Sequence, residues 1–101
     1  MFYEMRVYTP HDGKAAALRE RFLTRTMPIF ERLGIEVVNV FAPAERPDEL
    51  WYISKFADEA TRNRCWDDFK NDAEWQQVKS ASETDGPLLK AQTITVLTSL
   101  S

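Results

Sequence analysis

The segment FYEMRVYT, residues 2–9, has the composition and alternation of a β-strand. Aromatic, β-branched and apolar residues favour an extended, partly buried strand. Because side chains alternate across a strand, Tyr3, Met5 and Val7 share one face. The opposite face carries Phe2, Glu4, Arg6 and Tyr8. We interpret the first face as core. A strand with one apolar and one mixed face is expected in the middle of a sheet that is covered on both sides.

Helical and strand-like segments alternate along the rest of the chain. Segment 14–33 has helical spacing, with a kink or split expected near Thr26-Met27 because Pro28 follows, and Gly34 ends it. The remaining segments are strand-like at 35–42, 50–56 and 91–98 and helical at 59–70 and 73–81. This order predicts a ferredoxin-like βαββαβ fold of the α+β class, with a four-stranded antiparallel sheet and helices on one face. Right-handed crossovers place the first and third strands at the centre.

The second face of this sheet has no covering element in the chain. Whichever of the two sets of alternating side chains faces away from the helices, that face is apolar. The residues concerned are Phe2, Tyr8, Val38, Val40, Trp51 and Ile53. The sequence leaves open which face meets the helices. An exposed apolar face of this extent marks an interaction surface. The simplest partner is a second copy of the chain, so we predict a homodimer that forms through the sheet face, as a dimeric α/β barrel.

Composition limits the class of protein and its partners. The 101 residues predict one domain, 1–101, and the 44% hydrophobic and 29% charged content is typical of a soluble globular protein. The formal net charge of −3 argues against a nucleic-acid-binding protein. No apolar segment reaches the length of a membrane span. Cys65 is the only cysteine and the N-terminus does not resemble a signal peptide, so the expected location is the cytoplasm.

Several short motifs resemble those of the NIPSNAP family. They are YEMRVYT at 3–9 followed by Gly13-Lys14, the pair Leu50-Trp51, and Asp72-Ala73-Glu74-Trp75. Ala73 stands where the family usually has proline, and Ile53 replaces an aromatic residue that is often found there. The resemblance implies a dimeric α/β barrel built from two ferredoxin-like units. It implies little about activity, because the biochemical role of the family is poorly defined.

Three functional hypotheses follow from the residues and the resemblance. The first is a homodimeric NIPSNAP-like protein of unassigned activity that binds a small apolar or aromatic molecule between sheet and helices. The second, by analogy of fold alone, is a cofactor-independent monooxygenase or isomerase of the dimeric α/β-barrel type. The third is a structural or partner-binding module. A pocket lined by converging polar groups favours the enzyme, whereas a fully packed layer between sheet and helices favours the module.

No catalytic residue stands out, but six residues are candidates for ligand binding: Glu4, Arg6, Tyr8, His11, Asn39 and Tyr52. Glu4 and Arg6 form either an ion pair, within the chain or across a dimer interface, or an anion or carbonyl site beside Tyr8. His11 lies in a loop after the first strand and is either a turn residue or a general base. Asn39 interrupts an apolar strand, so it faces either a pocket or water.

The sequence gives no sign of a cofactor. One histidine and one cysteine do not provide the ligand spacing of a transition-metal or haem site. With three glycines and no phosphate-binding motif, a nucleotide site is not expected either. We therefore predict no metal and no cofactor. Cys65 is interpreted as a buried thiol, and the three tryptophans as core and interface residues.

Overall fold

The computed structural model describes residues 1–101 and contains one four-stranded antiparallel sheet. The strands are β1 (Phe2–Pro10), β2 (Glu36–Phe41), β3 (Leu50–Phe56) and β4 (Leu89–Leu97). Their order across the sheet is β2-β3-β1-β4, which puts the first and third strands at the centre as predicted. The ferredoxin-like α+β fold expected from the order of segments is confirmed.

The first helical stretch changes type along its length. It consists of α1 (Ala15–Arg21), a π-helical segment (Phe22–Thr26) and α2 (Met27–Arg32). The split predicted near Thr26-Met27 takes the form of this change, which places Pro28 in the first turn of α2, where its missing N–H is tolerated. Two further helices, α3 (Glu59–Lys70) and α4 (Ala73–Ser82), follow β3. None of the helices combines the length and apolar content needed to span a bilayer.

Gly34 turns the chain from α2 into β2. The Ile35 N–H donates to the Phe30 carbonyl at 2.9 Å, and the Gly34 N–H donates to Glu31 at 3.2 Å, which is the Schellman pattern of helix ends. Gly34 has φ +84, a conformation that strains any residue with a Cβ atom. The side chains of Ile35 and Phe30 are both buried in the same apolar cluster. This turn therefore fixes the direction in which β2 enters the sheet.

Two aspartates set the starts of α3 and α4. The Thr61 N–H donates to Asp58 at 2.8 Å, and the Trp75 N–H donates to Asp72 at 2.9 Å. These hydrogen bonds lower the pKa of both carboxyl groups. Asp72 also accepts a hydrogen bond of 2.8 Å from Arg32. The contact ties the end of α2 to the start of α4, which holds α4 against the rest of the helical layer.

The helices cover the β1 face that carries Phe2, Glu4, Arg6 and Tyr8. Glu4 pairs with Ser54 and Arg6 with Tyr52 on β3, and all four residues are buried. Our interpretation of Tyr3, Met5 and Val7 as the core face is therefore wrong within a single chain, since these half-buried residues lie on the helix-free side. The physical reason is that the polar groups on the helix side satisfy one another, so burying them carries little penalty.

The apolar core is displaced toward one side of the sheet. Its fully buried members are contributed by the first helical stretch, the turn before β2, β3 and α3: Phe22, Phe30, Ile35, Leu50, Tyr52, Phe56 and Cys65. Cys65 is buried, which confirms its interpretation as a buried thiol, and this burial raises the pKa of the thiol. On the other side, β4 is exposed over most of its length. The space above β1 and β4 is therefore less completely filled than the space above β3.

A β-bulge in β2 decides the position of Asn39. Val37 pairs with Ser54 and Asn39 pairs with Ile53, so Val38 is an extra residue between them. The bulge turns Asn39 to the helix-free side, where its side-chain oxygen accepts a hydrogen bond of 2.8 Å from the Val40 N–H. Asn39 is exposed, so of the two environments predicted for it the structure places it in the solvent.

The helix-free face of the sheet is apolar at its centre. Tyr3, Met5 and Val7 of β1 lie beside Trp51 and Ile53 of β3, and all five are half-buried. Phe41 of β2 extends this surface and is 48% exposed. No helix or loop of the chain covers the face.

Candidate ligand-binding cavity

A cavity of about 650 Å³ lies between the helices and the β1–β4 half of the sheet. β1 contributes Arg6 and Tyr8 to its wall, and β4 contributes Leu89 and Gln92. The helical layer supplies most of the aromatic and cationic lining: Arg21, Phe22, Trp66, Phe69, Lys70, Trp75 and Lys79. Such a mixture of apolar walls and a few polar groups is typical of small-molecule sites.

Arg6 is held in the cavity wall by a buried carboxylate. Its Nε donates to Oε1 of Glu4 at 2.6 Å, and Glu4 has no solvent exposure. The other oxygen of Glu4 accepts from Arg62, which α3 brings down from above the sheet. A buried carboxylate between two guanidinium groups is compensated by charge and by hydrogen bonds. Glu4 therefore acts as a positioning residue for Arg6.

The remaining contacts of Arg6 fix the plane of its guanidinium group. Nη1 donates to the side-chain oxygen of Gln92 at 2.9 Å, which links β1 to β4. Cζ lies 3.8 Å from the centre of the Trp66 ring, a cation–π distance. Nη2 makes no hydrogen bond within the chain, so one end of the group remains available.

Tyr8 and Tyr52 form a hydroxyl pair below the cavity. Their oxygens are 2.6 Å apart, and Tyr52 is completely buried. Burial raises the pKa of Tyr8, and it raises the pKa of Tyr52 well above its usual value. Both phenols are therefore neutral at physiological pH, and Tyr8 offers the cavity a hydroxyl group rather than a phenolate.

Arg21 is a second buried guanidinium in the lining. Its Nη1 donates to Ser82 at 3.0 Å and to Glu83 at 2.8 Å, residues at the end of α4. Its Cζ lies 5.1 Å from the centre of the Trp75 ring. These contacts fix Arg21 between the first helical stretch and α4, and they leave its Nε and Nη2 without hydrogen bonds.

The structure brings only some of the six predicted site residues together. Arg6 and Tyr8 line the cavity, while Glu4 and Tyr52 lie behind them and support them. His11 is half-buried in the loop after β1, where its main-chain N–H donates to Leu88 at 2.9 Å, and it does not line the cavity. Asn39 is on the opposite face. No group of three or more His, Cys, Asp or Glu side chains is placed to hold a metal ion.

Sequence reasoning did not identify Arg21, Trp66, Trp75 or Gln92 as site residues. Arg21 follows the apolar position Leu18 by three residues, so it lies at the edge of the buried stripe of its helix. That position was the available signal for a cation turned inward. Trp66 and Trp75 were interpreted as core, and nothing in a helical pattern distinguishes a core tryptophan from one that borders a cavity.

Comparisons with known proteins agree with this architecture. A family model described as NIPSNAP matches residues 3–101. An uncharacterized NIPSNAP domain protein from Burkholderia xenovorans superposes with a TM-score of 0.83 at 16% identity, covering 100% of this chain and 96% of the other. A NIPSNAP family protein from Agrobacterium tumefaciens gives 0.82 at 15% identity, covering 96% and 90%.

A more distant likeness reaches beyond these proteins. A candidate antibiotic biosynthesis monooxygenase from Nitrosomonas europaea superposes with a TM-score of 0.69 at 11% identity, covering 100% of both chains. At this identity the likeness concerns the fold alone. No curated protein matches the sequence.

Proposed function

The chain belongs to the NIPSNAP family, and we propose that it binds a small apolar or aromatic molecule in the cavity between its sheet and its helices. The cavity of about 650 Å³ carries this proposal. A structural module would be expected to fill this space with side chains, whereas here aromatic walls surround converging polar groups. The binding function therefore fits the geometry better than a purely structural role.

The position of the ligand can be tested with a neutral fluorescent dye and a blocking substitution. Nile red fluoresces more strongly in apolar surroundings, so a saturable rise in its fluorescence measures occupation of the cavity. Gln76 lines the cavity, and its neighbour Gln77 lines a different groove, between the first helical stretch and α4. We expect Gln76→Trp to abolish the signal and Gln77→Trp, the matched control, to retain it. Equal binding by both variants would place the ligand elsewhere.

We also propose that two copies of the chain associate through the helix-free face of the sheet. Tyr3, Met5, Val7, Trp51 and Ile53 form a continuous apolar surface there, and no part of the chain covers it. Patches of this kind on soluble domains are usually interaction sites. A self-complementary face related by a two-fold axis closes the assembly at a dimer.

The single buried cysteine is consistent with a reducing compartment, and we propose the cytoplasm as the location of the protein.

A second candidate function is a cofactor-independent monooxygenase or isomerase. The monooxygenase name of the Nitrosomonas europaea neighbour and the position of Tyr8 in the cavity wall favour it. Because burial raises the pKa of Tyr8, this residue would donate a proton or a hydrogen bond rather than remove a proton. A fall in the turnover of a bound aromatic compound in Tyr8→Phe that clearly exceeds the fall in affinity would support this candidate over simple binding.

A further inference from the structure

The cavity is basic although the chain as a whole is acidic. The formal net charge of the chain is −3. The cavity lining nevertheless contains four cationic side chains, Arg6, Arg21, Lys70 and Lys79, and one carboxylate, Glu83. A concave site with this local excess of positive charge concentrates anions from solution. The charge distribution therefore selects for a ligand that carries a negative charge.

The two buried arginines keep unused donors at the cavity wall. Arg6 donates through Nε and Nη1, and Arg21 donates only through Nη1. Among enclosed side-chain nitrogens and oxygens, only Nε1 of Trp66 lacks a hydrogen-bond partner. The unbonded guanidinium nitrogens of Arg6 and Arg21 are therefore not enclosed. Both residues line the cavity, and Arg21 also borders the groove between the first helical stretch and α4. Guanidinium groups match the planar geometry of a carboxylate.

The tyrosine pair supplies a further donor. Tyr52 is completely buried, and Tyr8 is the only hydrogen-bond partner of its hydroxyl group. When Tyr52 donates to Tyr8, the hydroxyl hydrogen of Tyr8 is free to bond an acceptor in the cavity. A negatively charged oxygen favours this orientation of the pair, because it provides the acceptor that the chain itself does not.

The remaining lining defines the body of the ligand and the type of anion. Phe69 and Trp75 stack with ring centres 4.6 Å apart, and Trp66 closes the same aromatic wall. These surfaces suit a flat or apolar body. None of the glycines, Gly13, Gly34 and Gly86, lines the cavity, so no loop of backbone N–H groups is available of the kind that cradles a phosphate. The donors are side chains in planar forks, which suit a carboxylate.

We propose that the ligand is a small carboxylic acid with an aromatic or apolar body, bound as the carboxylate by Arg6, Arg21 and Tyr8. This inference rests on the proposed binding function, which it narrows to a chemical class. Glu4 and Gln92 hold Arg6 in place, and Glu83 and Ser82 hold Arg21, so the two guanidinium groups are ordered before the ligand arrives. A site that is ordered in advance loses less entropy on binding.

The test compares acids with neutral molecules of the same shape. Benzoate, naphthoate, indole acetate and decanoate are titrated by calorimetry at neutral pH against the full chain, each beside its primary amide. Naphthyl phosphate is included to distinguish carboxylate from phosphate. We expect at least one acid to bind about tenfold or more tightly than its amide, which is the usual size of one charge-assisted contact. Naphthyl phosphate is expected to bind more weakly than naphthoate.

Two variants locate the charge that is recognised. Arg21→Met is expected to reduce the affinity for the acid by about tenfold and to leave the amide nearly unchanged. Lys79 is an exposed residue of the lining, so its replacement does not disturb a buried group. Lys79→Met is expected to reduce the affinity for the acid by a smaller factor than Arg21→Met. Arg25→Met is the matched control, because Arg25 lies on the same helical stretch, is exposed and lies outside the cavity.

The possible outcomes separate this inference from the proposed function. Equal affinities for the amides and their acids would be consistent with the binding function and would overturn the proposal that the ligand is a carboxylate. Tighter binding of naphthyl phosphate than of naphthoate would also overturn the proposal of a carboxylate, while leaving the binding function in place. If no acid, no amide and no dye binds, the proposed function itself is wrong. If Arg25→Met and Arg21→Met lose the same affinity for the acid, the acid is attracted by the overall positive charge of the helical stretch and is not bound by Arg21 in a specific site.

Discussion

Oε1 of Glu4 accepts a hydrogen bond of 2.6 Å from Nε of Arg6 beneath the helical layer. Glu4 is completely buried and also accepts from Arg62, whereas Arg6 is additionally bound to Gln92 and lies against Trp66. Each member of the pair therefore has a second partner. Glu4 lies buried between the sheet and the helices, and Arg6 lines the cavity. Loss of the pair is therefore expected to lower both the stability of the chain and its affinity for a ligand.

The first prediction concerns the stability of this pair. We expect Glu4→Gln to lower the free energy of unfolding by about 3–5 kcal/mol, because it leaves the buried Arg6 charge without its carboxylate. Combining Glu4→Gln with Arg6→Met removes both buried charges, and the half-exposed Arg62 can then turn to solvent. The double variant should therefore be far more stable than the sum of the two single losses predicts. Urea unfolding of the unaltered chain, the two single variants and the double variant measures this coupling. Losses in the free energy of unfolding that simply add would contradict the pairing of Glu4 with Arg6.

The second prediction concerns the hydroxyl groups of Tyr8 and Tyr52. Tyr8→Phe leaves the enclosed hydroxyl of Tyr52 without a partner, which should cost about 1–3 kcal/mol. Replacing both tyrosines by phenylalanine removes donor and acceptor together and should recover most of that loss. Chemical denaturation of the single and double variants provides the comparison. A double variant less stable than Tyr8→Phe would mean that each hydroxyl has another partner.

The third prediction is a loss of stability in alkaline solution. The pKa of Tyr8 is raised in the folded chain, and that of Tyr52 is raised well above the ordinary value of about 10. Above about pH 10 the unfolded chain releases these two protons while the folded chain retains them, so the free energy of unfolding falls as pH rises. Below the ordinary tyrosine pKa the contribution is fully present.

Melting temperatures between neutral pH and about pH 11 test this expectation. The variant with phenylalanine at both positions 8 and 52 serves as the control and should lose less stability over this interval. Parallel curves for the two proteins would show that other groups cause the alkaline transition.

The fourth prediction concerns association through the helix-free face. Ile53 lies at the centre of this face, beside Met5. A charge there cannot be buried against a second copy without a large penalty, so Ile53→Asp should give a monomer at micromolar concentration. Gln77→Glu adds one negative charge on the exposed side of α4 and should leave a dimer. Light scattering distinguishes the two states, and a well-folded monomer of the unaltered chain would falsify the proposed association.

Local sequence patterns were sufficient for the order and type of the elements. β3 begins and ends at the predicted residues, Leu50 and Phe56, because its apolar and aromatic segment is bounded by a polar loop and by a capping aspartate, Asp58. The breaks at Gly34 and Asp72 were also visible, since each depends on residues within one helical turn. The predicted interior of β2 was less accurate, because the bulge at Val38 arises from pairing with β3 rather than from local preference.

The choice of sheet face and the position of the cavity depend on contacts between distant parts of the chain. Glu4 and Arg6 look unfavourable for burial when they are considered alone. They are buried because Arg62, far along the chain, completes the charge arrangement from above. The cavity depends on how far the helical layer stands from β4, and no pattern within Trp66 or Trp75 and their neighbours encodes that separation.

The π-helical segment at residues 22–26 suggests how ligand preference and fold can change separately. A single-codon deletion there would restore regular α-helical geometry, and because the wide turn absorbs the extra residue, α1 and α2 would keep nearly the same orientation. The change would be confined to the turn that follows Arg21, while Phe30 remained packed against Tyr52. π-helical turns are often found at functional sites. One residue gained or lost at this point would therefore alter the cavity wall beside Arg21 without rebuilding the sheet.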